Sequence, residues 1–273
     1  MNYGEAILFG AVQGLTEYLP ISSSAHLILL PRFLGIQDPG LAFDVFLHAG
    51  TLAATLIYFW KDWKEVLAGL PFLGERMERR ARARSPDSLP RDSWKYLTMG
   101  TLPALVAGAL IHKLAEEQLR GNGVLVVTLS VGGIALWGVD RFLRGGFQIQ
   151  KLTPKIAIGV GLAQCLALIP GMSRSGSTMM GGRFMGLDRV AAARFSFLLS
   201  APITAAALVF ELRKWDQLAA DSWGPLLAGA LAAFVFGWFA IDGLLKLINR
   251  LGFLGFAVYR LALALFIGFY LGV

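Results

Sequence analysis

Two apolar stretches of this chain, about residues 4–33 and 155–187, are each broken near the middle by a cluster of Pro, Gly and Ser, and this narrows the choice of fold more than any other feature. The clusters read PISSSAH from Pro20 to His26 and PGMSRSGST from Pro170 to Thr178. Roughly 20 helical residues are needed to cross a hydrocarbon layer of about 30 Å, so neither half of a broken stretch spans alone. Each stretch is predicted to bend back at its cluster as a re-entrant helical hairpin. Irregular backbone survives at membrane depth only where protein or a water-filled cavity satisfies it, so the two clusters should line one shared polar cavity.

Six further apolar runs, about 42–60, 95–113, 124–142, 192–212, 223–247 and 252–272, are unbroken and long enough to span. With 56% of its 273 residues hydrophobic and only 16% charged, the chain has too little polar surface for a soluble domain. The predicted fold class is an all-α polytopic membrane protein forming a single integral membrane domain over 1–273. Hairpin, three spans, hairpin, three spans reads as an internal duplication of about 1–148 and 149–273. Three spans per copy invert the second one, and inverted repeats bring their broken helices together near the bilayer centre.

The loops give the orientation. Lys61, Lys64, Arg76, Arg79, Arg80, Arg82, Arg84, Arg91 and Lys95 crowd the linker at about 61–94, and Arg141, Arg144, Lys151 and Lys155 fall on the same side. The opposite loops offer Arg32, Lys113, Arg120, Arg213 and Lys214, so the positive-inside rule puts both termini outside. The same distribution accounts for the net charge of +7, and nucleic-acid binding is not expected. The segment from 74 to 93, with Pro86, Pro90 and several acids, reads as a solvated loop. The first twenty residues lack a positive n-region and carry Glu5, Gln13 and Glu17, so no cleavable signal is expected. The single cysteine, Cys165, has apolar neighbours and reads as a packing residue.

Gln13 and Glu17 are four apart, so both project from one helical face toward the break at Pro20. A carboxylate in membrane-embedded sequence is costly unless paired, protonated or functional, which makes Glu17 a site candidate. Ser22, Ser23 and Ser24 follow, and one of them is expected to cap the returning helix. His26, three residues after Ser23, is spaced to reach that hydroxyl or a substrate, as a nucleophile's base or a proton shuttle would. In the second cluster Gly171 permits close approach of backbone to ligand, Ser173, Ser175 and Ser177 offer donors, and a helix starting near Gly176 points its amides at the break. Arg174 brings a planar fork suited to phosphate; the alternative is a structural ion pair with Glu17. Thr178 lies one turn beyond it. Asp44 and His48 stand equally well beside the cavity or at the membrane interface. Arg260 is read as pairing or snorkelling, while Asp140, Arg141, Asp242 and Lys246 look like helix-end charges.

On these residues the chain resembles the undecaprenyl-diphosphate phosphatase family of bacterial inner membranes, the BacA or UppP type. QGLTEYLPISSSAH (13–26) looks like that family's acidic motif with its Ser and His residues, PGMSRSGST (170–178) is similar to its PGxSRSxxT motif, and FSFLLSAP (195–202) and FAVYR (256–260) also look like family segments. The resemblance implies hydrolysis of undecaprenyl diphosphate, or related polyprenyl diphosphates, to the monophosphate and inorganic phosphate. That recycles the carrier lipid of peptidoglycan and other envelope polymers, with associated bacitracin resistance. It further implies a divalent cation, Mg or Ca, held by Glu17 and Gln13, a site opening to the outer face, and compatibility with a homodimer. Roles carry over to Ser23, Glu17 and His26 as catalytic residues, and to Arg174, Ser173, Ser175, Thr178, Gln13, Ser22, Gly171 and Gly176 as substrate-binding ones. Gln13 stands where many members have Glu, which weakens any mechanism needing two carboxylates. A lipid transporter is the rival expectation, since inverted repeats with broken helices are also a transporter architecture.

Overall fold

A computed structural model describes residues 1–71, 88–119, 121–143, 145–211 and 223–271. Every regular element among them longer than one bridge is helical: α1 (Tyr3–Tyr18), α2 (Ser23–Leu34), α3 (Leu41–Tyr58), α4 (Trp60–Ala68), α5 (Ser93–Gln118), α6 (Asn122–Phe142), α7 (Pro154–Gln164), α8 (Arg174–Phe184), α9 (Arg189–Glu211), α10 (Trp223–Leu251) and α11 (Leu254–Leu271). Four of them, α6, α9, α10 and α11, are long and apolar enough to cross a membrane, and α3 with α4 makes a fifth if a pair bent by 74° counts as one span. The remaining expected span forms the continuous 26-residue helix α5. Of the expected linker at 61–94, residues 61–68 are instead helical: the charged sequence WKDWKEVLA, starting at Trp60, turns off α3 and anchors to the protein, with Asp62 paired to Arg194 and Glu65 accepting the Leu89 amide at 2.7 Å. Arg76, Arg79, Arg80, Arg82, Arg84, Arg120, Arg144, Arg213 and Lys214 fall outside the described residues, as does most of the expected solvated loop.

Both expected breaks are present. α1 has 16 residues and α2 has 12, and they meet at Leu19–Ser22. α7 has 11 residues, runs on as a 3₁₀ turn over Cys165–Leu168, and breaks before the 11-residue α8. Local chemistry sets these ends. An Asn2–Glu5 capping box starts α1, and Thr153 followed by Pro154 starts α7. Ser22 and Ser173 cap α2 and α8 through their hydroxyls, and both do so from positive φ, 75° and 71°. A serine held there costs about 1–3 kcal/mol, so surrounding contacts must impose it.

The packing crosses between the halves of the chain. α1 lies along α10 and α7 lies along α5, while α3 packs on α10 and α9, and α6 on α11. Glycines make the α1 and α3 contacts close enough: a Cβ built at Gly10 would stand 2.1 Å from the Gly229 carbonyl oxygen, and one at Gly50 2.0 Å from that of Ala230. The core between these helices collects Tyr18, Phe59, Leu97, Val160, Phe197 and Leu199.

At one end of the bundle, charges tie several helices together. Asp140 at the end of α6 receives both Nε and Nη2 of Arg189 at 2.8 Å and lies 3.3 Å from Arg183, and Lys246 bonds Asp242 at 2.6 Å. Because added methyls in a packed core cost about 1–3 kcal/mol, Gly10→Ala and Gly50→Ala should each destabilise by that amount. Gly138→Ala, where nothing lies within 4 Å, should not destabilise. Unfolding of the detergent-solubilised variants by denaturant checks the contrast.

Candidate active site

Glu17 is the centre on which both broken segments converge. It sits one turn before the break, buried, and its two oxygens serve different neighbours. Oε1 accepts from Arg174 Nη2 at 2.6 Å; Oε2 accepts from Ser23 Oγ at 2.7 Å and Gln13 Nε2 at 3.1 Å, and lies 3.5 Å from His48 Nε2. Ser23 and Arg174 are each the first residue of the helix that follows a break, so the two helix starts meet across one carboxylate. Breaking such a buried ion pair by removing one partner typically costs about 3–5 kcal/mol.

The second cluster holds Arg174 from behind. Its Nη1 donates to the Ser196 carbonyl on α9 at 3.1 Å, and Thr178 Oγ1 lies 2.6 Å from Ser196 Oγ. Ser175 Oγ donates to the Leu19 carbonyl at 3.0 Å, linking the two breaks directly, and Ser173 and Ser175 hydroxyls stand 3.2 Å apart. The Gly176 amide is taken by the Ser173 cap at 3.1 Å. Gly171 adopts φ 90°, and a Cβ there would meet Thr128 Oγ1 at 2.0 Å. In the first cluster, Ser22 caps and touches Ser24 Oγ at 3.1 Å, and Ser24 Oγ lies 3.5 Å from the Gly171 amide.

His26 is placed differently from the Ser23 contact that its spacing suggested. Nδ1 lies 2.7 Å from the Ser22 carbonyl and Nε2 2.6 Å from the Tyr259 hydroxyl, with the two rings stacked. Ser23 reaches Glu17 instead, because the helix starts at Ser23 and turns its hydroxyl back toward α1.

Two residues matter more here than their sequence context indicated. His48 on α3 belongs to the Glu17 centre rather than to an interface. Arg260 neither snorkels nor bonds a carboxylate: fully buried, it donates to the carbonyls of Pro20 (3.3 Å), Gly171 (2.9 Å), Met172 (3.1 Å), Thr128 (3.1 Å) and Leu129 (3.2 Å). It holds the unpaired backbone of both breaks at once. The signal available in sequence was the cost of an arginine within an apolar helix, but nothing local names carbonyls 131 and 240 residues away.

The polar centre thus gathers Gln13, Glu17, Ser23, His48, Arg174 and Ser175 from four helices, with strain, charge and caps spent on keeping them together. The family described as bacitracin resistance protein BacA matches residues 6–266. The chain belongs to the BacA family. Among its relatives is a protein of Gemmatimonas aurantiaca named undecaprenyl-diphosphatase, 47% identical over 265 residues, 97% of this chain and 96% of the relative. Proteins of the same name from Moorella thermoacetica and Idiomarina loihiensis are 43% and 42% identical, each alignment covering 97% of this chain and 96% and 97% of the relative. The family match runs across both breaks and reaches Arg260.

Loss of the five-carbonyl staple should dominate the stability of this BacA protein. Arg260→Met removes the donor from the break carbonyls of Pro20, Gly171 and Met172, at about 1–3 kcal/mol each. Thermal unfolding in detergent should rank wild type above Arg260→Lys, whose ammonium keeps some of the donors, and Arg260→Lys above Arg260→Met.

Proposed function

We propose that this chain hydrolyses undecaprenyl diphosphate to undecaprenyl phosphate and inorganic phosphate, acting as a membrane phosphatase that recycles a carrier lipid and so contributes to bacitracin resistance. The observation that carries the reading is the Ser23–Glu17–Arg174 constellation: a hydroxyl bonded to a carboxylate, and a guanidinium bonded to the same carboxylate, in a chain 47% identical to a protein named for that activity.

The Arg174–Glu17 pair keeps the centre neutral until a phosphate arrives. A terminal phosphate exchanges places with Glu17 on Arg174, and the Ser173 and Ser175 hydroxyls add donors beside it. Glu17, released from the guanidinium, accepts the Ser23 proton at Oε2, where Ser23 already points. Ser23 Oγ attacks the terminal phosphorus, the bond from that phosphorus to the bridging oxygen breaks, and undecaprenyl phosphate leaves with the electron pair. Water then attacks the phosphoserine; the proton on Glu17 returns to Ser23 Oγ and inorganic phosphate departs carrying the water's oxygen. Thr178 and Ser196 fix the position of Arg174, and His26, held between Ser22 and Tyr259, sets the backbone from which Ser23 springs.

Among the described residues there is no group of three or more His, Cys, Asp or Glu able to hold a metal by itself. What the site offers is Glu17 together with Gln13, whose Oε1 is buried without a partner. One carboxylate and one neutral oxygen suit a divalent ion that keeps waters and takes its remaining ligands from substrate phosphate, so the residues fit such a group. Bound there, the ion would neutralise phosphate charge and polarise the phosphoryl oxygens.

The orientation reading places the Asp140, Arg183, Arg189 and Asp242, Lys246 end in the cytoplasm and both termini and the site opening outside, in the bacterial inner membrane. The inverted-repeat reading is supported by the two serine caps at matching breaks and by the crossed packing of α1 on α10 and α7 on α5.

Phosphate release from undecaprenyl diphosphate by the purified protein tests the function, and should fall by at least about 10²-fold in both Ser23→Ala and Arg174→Ala. Labelled terminal phosphate should be trapped on Ser23 by acid quench. Near-normal turnover by Ser23→Ala would replace the serine nucleophile with direct attack by water.

A further inference from the structure

Helix α4, far from the Glu17 centre in sequence and role, sorts its charges to opposite sides. Its nine residues, WKDWKEVLA, include two acids and two lysines. Both acids turn inward: Asp62 is buried against Arg194 of α9, and Glu65 accepts the Leu89 amide at 2.7 Å. Both lysines are exposed, and among the described residues neither Lys61 nor Lys64 meets an anionic partner. The outer side of the helix therefore carries two positive charges that the protein does not balance.

Apolar surface lies beside those charges. Trp60 and Leu67 are 58% and 43% exposed. Residues three, four and seven apart share a helix face, so Trp60, Lys64 and Leu67 form one stripe with Lys61 flanking it. This is the pattern of a helix that lies in a membrane surface: the large apolar side chains enter the acyl boundary, and lysine stems run along them while the ammoniums reach the headgroups.

The fold sets the stripe at a suitable depth and angle. α3 packs on α9 and α10, two helices long and apolar enough to cross a membrane, and α4 is bent from α3 by 74°. A helix turned so far from a spanning direction lies close to the membrane plane. Trp60 follows directly on the end of α3, at the boundary where tryptophan is enriched. Two contacts fix α4 there: the Asp62–Arg194 pair on its inner side, and at its end Gly69, where a Cβ would stand 2.3 Å from the Arg91 carbonyl oxygen. Lys95, near the start of α5, is already paired with Asp92 at 2.7 Å and adds less free charge.

We propose that α4 is a docking surface for anionic phospholipid, with the headgroup on Lys61 and Lys64 and the acyl chains against Trp60 and Leu67. The two positive charges select an anionic headgroup over a zwitterionic one, and the Trp60–Leu67 stripe selects a lipid over a soluble acidic partner. The orientation given above makes this the inner leaflet, while the docking itself depends only on the helix.

The test places the purified full-length protein in nanodiscs of mixed phosphatidylglycerol and phosphatidylcholine, with one or the other lipid brominated. Bromine quenches tryptophan fluorescence on contact, and wild type minus Trp60→Phe isolates the Trp60 signal. Trp60 should be quenched preferentially by brominated phosphatidylglycerol. The preference should fall roughly fivefold in Lys61→Gln and again in Lys64→Gln, vanish in the double variant and weaken at high salt. Replacing both lysines by arginine should keep it, and unfolding of the double glutamine variant in detergent should match wild type. Equal quenching by the two lipids, a preference unchanged in the double glutamine variant or lost in the double arginine one, or a Trp60 quenched by neither lipid, as a covering second copy of the chain would leave it, would each overturn the proposal. The discs carry the same lipids on both faces, so the result is independent of orientation, and a phosphatidylglycerol preference in a wild-type protein that releases no phosphate would uphold the docking surface and sink the hydrolase reading instead.

Discussion

One buried guanidinium makes the broken helices of this protein affordable. Interrupting a helix inside an apolar layer frees carbonyls that water cannot reach, and each break here leaves several near the bundle centre. Arg260 supplies its rigid fan of donors to Pro20 on one side and to Gly171 and Met172 on the other, with Thr128 and Leu129 of α6 as the fixed wall. Gly132 makes the room, since a Cβ there would stand 2.2 Å from Nη2. The two positive-φ caps, Ser22 and Ser173, stand within two residues of the carbonyls held at this point, those of Pro20 and Met172.

Around Glu17 the charges are arranged to be exchanged. A carboxylate alone at this depth would be expensive, and a permanent ion pair with Arg174 would leave neither group available. Sharing the carboxylate among a guanidinium, a hydroxyl, an amide and an imidazole keeps every group partly satisfied. An incoming anion then has a cation to claim, and the hydroxyl's partner is already in place.

Much of this was legible in the sequence because it is encoded locally. Pro20, the serines and Pro170–Gly171 announced the breaks, the four-residue spacing put Gln13 beside Glu17, and an arginine in the second cluster pointed to a partner that proved to be Glu17. What stayed hidden depends on register between distant segments. His48 reads equally well as an interfacial residue until α3 is laid against α1. Arg260 advertises cost but not its partners. Ser196, inside an apolar helix, gives no hint that its hydroxyl and carbonyl brace Thr178 and Arg174. The start of the linker differed for another reason: its charges read only as part of a basic connection, whereas Asp62 and Glu65 find partners on the protein and the segment is the helix α4.

The crossed packing has a consequence for how the protein is made. α1 leaves the ribosome well before the surface it lies on, α10, which is encoded by residues 223–251. At about 5–20 residues per second, that surface follows roughly 10–40 s later. Through most of this interval Gln13 and Glu17 lack Arg174, and Arg260 is made only after α10. Synthesis order therefore makes the α1–α2 pair a client of assistance until α10 and α11 arrive, so residues made more than 200 positions later are the ones that commit it to its place.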